Sequence, residues 1–252
     1  MSVLSNIQED YLKAIYKLSR VGGSSGGTSS LSHVSTSALS NELGVSPATV
    51  SDALQRLHRQ GYVSYQKYKG VGLSQKGEKV ALHMVRRHRI WEVFLHDKLR
   101  FSWDEVHERA EKLEHLCDEV FTNRLDEYLD YPRSDPHGDP IPDEHGKMPV
   151  LNRVLLSDML SGQKGQIVSV CESDPLFLQY MDKQGLILGS YVEILDKEPF
   201  DNSLQITLNN RTLSISDRVA KNLWVVRAPD SELLRGSSLE KRGLVVESGG
   251  SS

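Results

Sequence analysis

Residues 36–77, TSALSNELGVSPATVSDALQRLHRQGYVSYQKYKGVGLSQKG, decide how this 252-residue chain is read. Ala38, Leu39 and Leu43 form one apolar face, and Val50, Leu54 and Leu57 form another. A tight turn at Gly44 separates them, which is the spacing of a helix-turn-helix. Ser46 suits a helix N-cap and Pro47 suits the first turn, so the second helix is expected from 47 to about 60. Its N-terminal end presents Ser46, Ala48, Thr49, Ser51 and Asp52. Mostly small polar side chains there let a helix approach base edges in the major groove. Residues 62–73 alternate and contain Gly70 and Gly72, which predicts a hairpin, with Lys67 and Lys69 flanking Tyr68 as a wing for phosphates. Residues 46–76 carry one acid and five bases. Turn, second helix, wing and local charge agree on a DNA-reading unit rather than a plain helical hairpin with a solvated basic surface. Asp52 has two readings: it accepts from a cytosine amino group, or it pairs with Arg56 one turn on.

Working outward, residues 6–20 read as a helix through Tyr11, Leu12, Ile15, Tyr16 and Leu18. Residues 22–30, GGSSGGTSS, have the composition of a flexible loop. Residues 75–130 are helical in pattern, with a break near 100–103. Residues 131–149 hold five of the nine prolines and read as a linker. Beyond 150, five short alternating runs (166–170, 191–195, 204–208, 211–215 and 223–226) suggest a small β-barrel. The tail from 229 is rich in Ser, Gly and charge and is expected to be disordered. The formal charge of −4 argues against nucleic acid only until its distribution is seen, because residues 104–130 carry ten acids and three bases. No apolar run approaches the ~18 residues of a membrane helix. The acidic start, MSVLSNIQEDYLK, does not resemble an export signal. Two cysteines, Cys117 and Cys171, build no disulfide framework, so a cytoplasmic protein is expected.

Residues 104–120, DEVHERAEKLEHLCDEV, concentrate liganding groups. On a continuous helix His107, Glu111, Glu114 and His115 fall within about 100° of arc. His88 and Glu92, at i and i+4, can face one cation together, and Asp10 precedes the apolar stripe of the first helix. Carboxylates with imidazoles suit a first-row divalent metal. The other reading is a solvated acidic surface helix. No phosphate loop, HExxH, nucleophile elbow or CxxC pair is present. A metal sensor is therefore more economical than a metallohydrolase with a winged-helix interaction module.

The chain resembles the diphtheria toxin repressor family of metal-dependent transcriptional regulators from about residue 7 to 226. The resemblance rests on QEDYLKAIYKL (8–18), GVSPATVSDALQRLHRQGYV (44–63), RRHRIWEVFL (86–95), VHERAEKLEHLCDEV (106–120) and PHGDPIP (136–142). It implies an α+β chain: a winged helix-turn-helix over 1–80, a helical dimerisation and metal-binding domain over 81–132, a linker over 133–149 and an SH3-like barrel over 150–228. It implies a homodimer on double-stranded operator DNA, with Mn²⁺ or Fe²⁺, two ions per protomer, as cofactor, and no organic cofactor or membrane. It places a primary metal site on Asp10, Glu111, Glu114 and His115, with His88 close by. Carboxylates at 10 and 111, where iron-sensing members carry Met and Cys, point to the manganese-sensing branch and to control of manganese uptake genes. Lys13 stands where some manganese sensors without a C-terminal domain carry a ligating Glu, which argues against a binuclear centre of that kind. A second site is expected from Glu92 or His88, His107, Asp135 and His137, with Glu172 of the barrel, or Asp174, as a further oxygen donor.

Overall fold

A computed structural model describes residues 4–21, 33–66 and 70–228. The loop at 22–30, Lys67, Lys69 and the tail from 229 lie outside the described residues. The first unit contains α1 (Asn6–Val21), α2 (Thr36–Leu43), α3 (Pro47–Arg59) and the hairpin strands β1 (Val63–Gln66) and β2 (Gly70–Leu73). Local chemistry sets the helix ends. Ser35 caps α2 by accepting from the Ala38 amide, and Gly44 ends it at φ 64°, a left-handed conformation that costs glycine nothing. Ser46 caps α3 by accepting from the Thr49 amide, with Pro47 at the first helical position. Leu12, Ile15, Leu39, Val50, Leu54, Leu57 and Val71 close one core beneath these elements. Truncating a buried leucine such as Leu54 to alanine there costs about 2–5 kcal/mol.

A 23-residue helix, α4 (Gln75–Asp97), is the spine of the molecule. A Cβ on Gly77 would lie 2.0 Å from the Tyr62 carbonyl oxygen, so glycine lets the spine start flush against the wing. Ala81, Leu82 and Val85 join the first core, while Ile90 and Val93 join a second with Leu125 and Ile141. The acidic stretch is not one helix. It divides into α5 (Val106–Leu113) and α6 (Glu119–Tyr128), because Asp118 caps a new helix by accepting from the Phe121 amide. Leu116, Val120, Phe121 and Tyr128 remain exposed on this side, with Phe121 stacked on Trp91 at 5.9 Å.

Residues 131–149, expected as a linker, include a pinned strap. Arg89 on α4 contacts the Asp135 and Asp139 carboxylates at 3.3 and 3.2 Å and donates to the Pro140 carbonyl at 2.5 Å. Ile141 is buried. Gly138 has φ 81°, and a Cβ there would lie 1.9 Å from the Val168 carbonyl oxygen, so only glycine lets the strap pass this close to the next domain. That domain comprises β3 (Val154–Leu155), β4 (Lys164–Val170), α7 (Pro175–Gln184), β5 (Tyr191–Lys197), β6 (Leu204–Leu208), β7 (Arg211–Ile215), α8 (Asp217–Ala220) and β8 (Leu223–Arg227). Its six-stranded sheet runs in the order β3-β8-β4-β5-β6-β7 with every pair antiparallel. The five expected strands all form. The sixth, β3, is two residues long, too short to show alternation. The sequence reading also passed over α7, although Asp174 followed by Pro175 is a legible helix start. Ile167, Leu178, Met181, Ile194, Ile206 and Val225 lie at the centre of the domain's core.

Candidate metal centre and DNA-reading face

Two clusters of liganding side chains lie between the winged-helix unit and the C-terminal domain. The first surrounds Glu92 on α4. Its Oε1 lies 3.0 Å from His88 Nε2, 3.1 Å from His107 Nδ1 on α5 and 3.7 Å from His137 Nδ1 on the strap. Asp135 completes the set: Glu92, Asp135 and His137 offer atoms within 4.8 Å of one another, as do His88, Glu92 and His107. Ligands around one tetrahedral ion with bonds of about 2.1 Å stand about 3.4 Å apart, so the spacing within each of these overlapping triads suits a cation. Burial favours the neutral forms here, but charge neighbours outweigh it for the imidazoles. Burial would lower His88, yet Glu92 and the hydrogen bonds of Glu114 and Glu92 raise it to about 9. His137 is likewise raised to about 9, burial being overcome by its hydrogen bond to Glu92 and by the Glu92 and Asp135 charges. Burial would raise Glu92, but His88, His107 and His137 hold it well below the usual carboxylate range. Burial, then Glu92 and Asp139, push Asp135 up to about 7 against Arg89 and His137.

The second cluster joins α1 to the end of α5. His115 Nε2 donates to Asp10 Oδ1 at 2.8 Å, and its Nδ1 lies 3.3 Å from Glu9 Oε2. Glu114, fully buried, completes the group with Asp10 and His115. Burial would raise its pKa, but the hydrogen bond from His88, the His88 charge and Lys13 lower it. Glu114 also links the clusters, because its Oε2 accepts from His88 Nδ1 at 2.5 Å. His88 stands between the two clusters, its Nδ1 on Glu114 and its Nε2 on Glu92. Glu111, 51% exposed, lies 3.6 Å from His107 and outside the Asp10, Glu114 and His115 group. The reason is the end of α5 at Leu113: past it the chain no longer follows the wheel that put all four side chains on one face.

Glu172 reaches neither cluster. Its carboxylate accepts from the Asp174 amide at 3.3 Å, and Asp174 caps α7. The C-terminal domain meets the centre by other means. The Val170 amide donates to the His137 carbonyl, and His137 Nε2 donates to the Trp103 carbonyl at 2.8 Å. The Trp103 ring lies near-parallel to His137, and its Nε1 donates to Asp182 at 2.9 Å. Sequence reasoning missed Trp103, Arg89, Glu9 and Gly138. Only the adjacency of Glu9 to Asp10, and of Gly138 to His137, marked any of them beforehand.

On the DNA-reading unit, Ser46, Ala48, Thr49 and Asp52 are exposed and Ser51 is half-buried. The Ser46 and Thr49 hydroxyls pair at 2.9 Å, and Ser51 Oγ donates to the Pro47 carbonyl at 3.0 Å. No ion pair joins Asp52 to Arg56; both line an open groove between α1 and α3 with Arg59.

Comparison with known proteins fits this geometry. Residues 3–71 match the family described as iron dependent repressor, N-terminal DNA binding domain. Residues 74–143 match its metal binding and dimerisation domain, and residues 154–227 match the FeoA domain. The iron-dependent repressor IdeR of Mycobacterium tuberculosis is 31% identical over 142 residues, 56% of this chain; that match spans only 58% of the relative's length. The diphtheria toxin repressor of Corynebacterium glutamicum is 26% identical over 231 residues, covering 87% of this chain and 96% of the relative. Among solved structures, a manganese-dependent transcriptional repressor in complex with manganese is 33% identical with a TM-score of 0.79, covering 88% of this chain and all of its own. The manganese regulator SloR is 31% identical with a TM-score of 0.73, covering 88% of this chain and 98% of its own. With three consecutive domains matched in order and full-length relatives above 30% identity, the chain belongs to the diphtheria toxin repressor family of metal-dependent transcriptional regulators.

Proposed function

We propose that this chain is a homodimeric, Mn²⁺-activated repressor that binds operator DNA in the cytoplasm, controls manganese uptake genes and is not an enzyme. The observation that carries this reading is the 2.8 Å contact between Asp10, on the first helix of the DNA-reading unit, and His115, just past α5. The donors suit the metal: Asp10, Glu114 and His115 at one cluster, and Glu92, His88, His107, Asp135 and His137 at the other, offer oxygen and imidazole nitrogen and no sulfur. Two ions per protomer follow from two clusters. A divalent cation would supply the positive charge that lets Asp10, Glu9 and Glu114 stay close together.

The chain's own residues do the rest. Asp10 fixes α1 against the end of α5, and α1 shares its core with α3, so the recognition helix follows α1. By linkage, conditions that favour the Asp10–His115 contact favour the DNA-competent arrangement. Ser46, Ala48, Thr49, Ser51 and Asp52 serve the bases, and Lys67 and Lys69, outside the described residues, serve phosphates. The exposed Leu116, Val120, Phe121 and Tyr128 form an apolar face for the second protomer. Among the described residues no helix is long and apolar enough to cross a membrane.

Fe²⁺ is the second reading, favoured by the mycobacterial relatives named as iron-dependent. Titrating DNA binding with Mn²⁺ and, anaerobically, with Fe²⁺ separates the two. The test extends to Asp10→Met with Glu111→Cys, since Glu111 is one turn before His115 and is proposed as a further ligand of the Asp10 site. The double variant should shift the ranking toward Fe²⁺ or Co²⁺; an unchanged ranking overturns the assignment. Turnover of a phosphoester or peptide substrate with Mn²⁺ would favour a metallohydrolase instead.

A further inference from the structure

Lys13 lies one turn after Asp10 on α1, and its Nζ is 2.5 Å from Glu114 Oε1. The lysine side chain is 19% exposed and the glutamate 1%. This is a nearly dry ion pair inside a set of liganding atoms. The other Glu114 oxygen is held by His88 Nδ1 at 2.5 Å, so each carboxylate oxygen has its own nitrogen partner. Oε1 is also the oxygen nearer the second cluster, 3.7 Å from His115 Nε2, which itself contacts Asp10. Arg87 donates to the Glu114 main-chain carbonyl and reaches Glu9 at 4.0 Å, so the hydrogen bonds to the Glu114 carboxylate come from Lys13 and His88.

We propose that Lys13 sets the affinity of the Asp10 site, its ammonium acting as a built-in competitor for Glu114 Oε1. A fixed positive charge within a few ångströms disfavours a dication, and the attraction of Glu114 for Lys13 must be given up before Oε1 can ligate. Without metal, the same pair tethers α1 to the end of α5. The winged-helix unit is then held by an ammonium that pairs with Glu114 and not with Asp10, and Lys13 supplies one charge where a metal would supply two. The proposal rests on the Asp10 site described under the proposed function.

The test is calorimetric Mn²⁺ titration of the full chain as wild type, Lys13→Gln, Lys13→Arg and Asp10→Asn, with thermal unfolding without metal. Asp10→Asn identifies which equivalent belongs to this site. Lys13→Gln should bind that equivalent about tenfold more tightly or better, and melt at a lower temperature without metal, while Lys13→Arg stays near wild type. A folded Lys13→Gln protein with unchanged or weaker affinity overturns the proposal. Acetylation of wild-type lysines by an amine reagent, read by mass spectrometry, needs no variant: Lys13 should become more reactive on adding Mn²⁺, and an unchanged or lower reactivity overturns the proposal. If Asp10→Asn loses no equivalent, the Asp10 site itself is refuted and the proposal falls with it.

Discussion

The Glu92 cluster and the Asp10 cluster share one carboxylate neighbour, Glu114, yet they are built differently. Around Glu92 four of the five donors are buried or nearly so, and they come from α4, α5 and a strap locked by Arg89 and Gly138. Around Asp10 the carboxylate is 40% exposed, and the donors sit on α1 and at the end of α5. A buried, multiply anchored set is pre-organised and changes little on binding. A contact with one half-exposed partner, Asp10, bridging two elements can open and close. On this difference we propose that the Glu92 cluster holds the C-terminal domain and that the Asp10 cluster steers the DNA-reading unit.

The sharpest way to break this division is Glu92→Gln. Removing the carboxylate leaves three imidazoles facing one another, and breaking such a buried charge set costs about 3–5 kcal/mol. Mn²⁺ affinity at that cluster should fall by about 100-fold or more, and the melting temperature should drop even without metal. A stable variant with both Mn²⁺ equivalents intact would erase the distinction between the clusters. Asp10→Asn should act differently. Stability and the Glu92 equivalent should survive, while Mn²⁺ stimulation of DNA binding, followed by fluorescence anisotropy on duplexes selected from a random pool, should fall about tenfold or more.

Smaller effects sharpen the picture of the strap. Gly138→Ala places a methyl against the Val168 carbonyl in a left-handed backbone, at a cost of about 1–3 kcal/mol. The C-terminal domain should loosen, with a larger radius of gyration by X-ray scattering and only a modest change in Mn²⁺ affinity at the Asp10 site. The smallest expected effect is at Glu172. Because its carboxylate turns to the Asp174 amide, Glu172→Gln should leave both Mn²⁺ equivalents within about twofold of wild type by calorimetry. A lost equivalent would show that the domain moves to ligate.

Much of this was legible because it is local. Ser46-Pro47, Gly44 and the apolar spacing of α2 and α3 lie within one or two helical turns, and the same holds for the alternation in β6 and β7. The candidate liganding residues that the fold gathers were legible too, since Asp10, Glu92, Glu114, His115 and His137 are concentrated in short motifs. Their partition was not. A helical wheel assigns directions only while the helix continues, and nothing before Asp118 announced that α5 stops at Leu113. Proline content read residues 131–149 as a linker because the signal for a strap, Arg89, sits some forty to fifty residues away on α4.

The sequence by itself therefore determined the winged helix-turn-helix, the helical middle, the β-rich end and the chemical kind of ligand, because these depend on composition, capping and short-range period. Only the tertiary structure decided that Glu92 gathers His88, His107 and His137, that Glu114 stands between two clusters with Lys13 on one oxygen and His88 on the other, and that Glu172 belongs to neither. Those contacts join residues 15 to 101 positions apart, apart from His88 and Glu92. Their geometry is set by how packed helices cross and where each one ends, which no local pattern encodes.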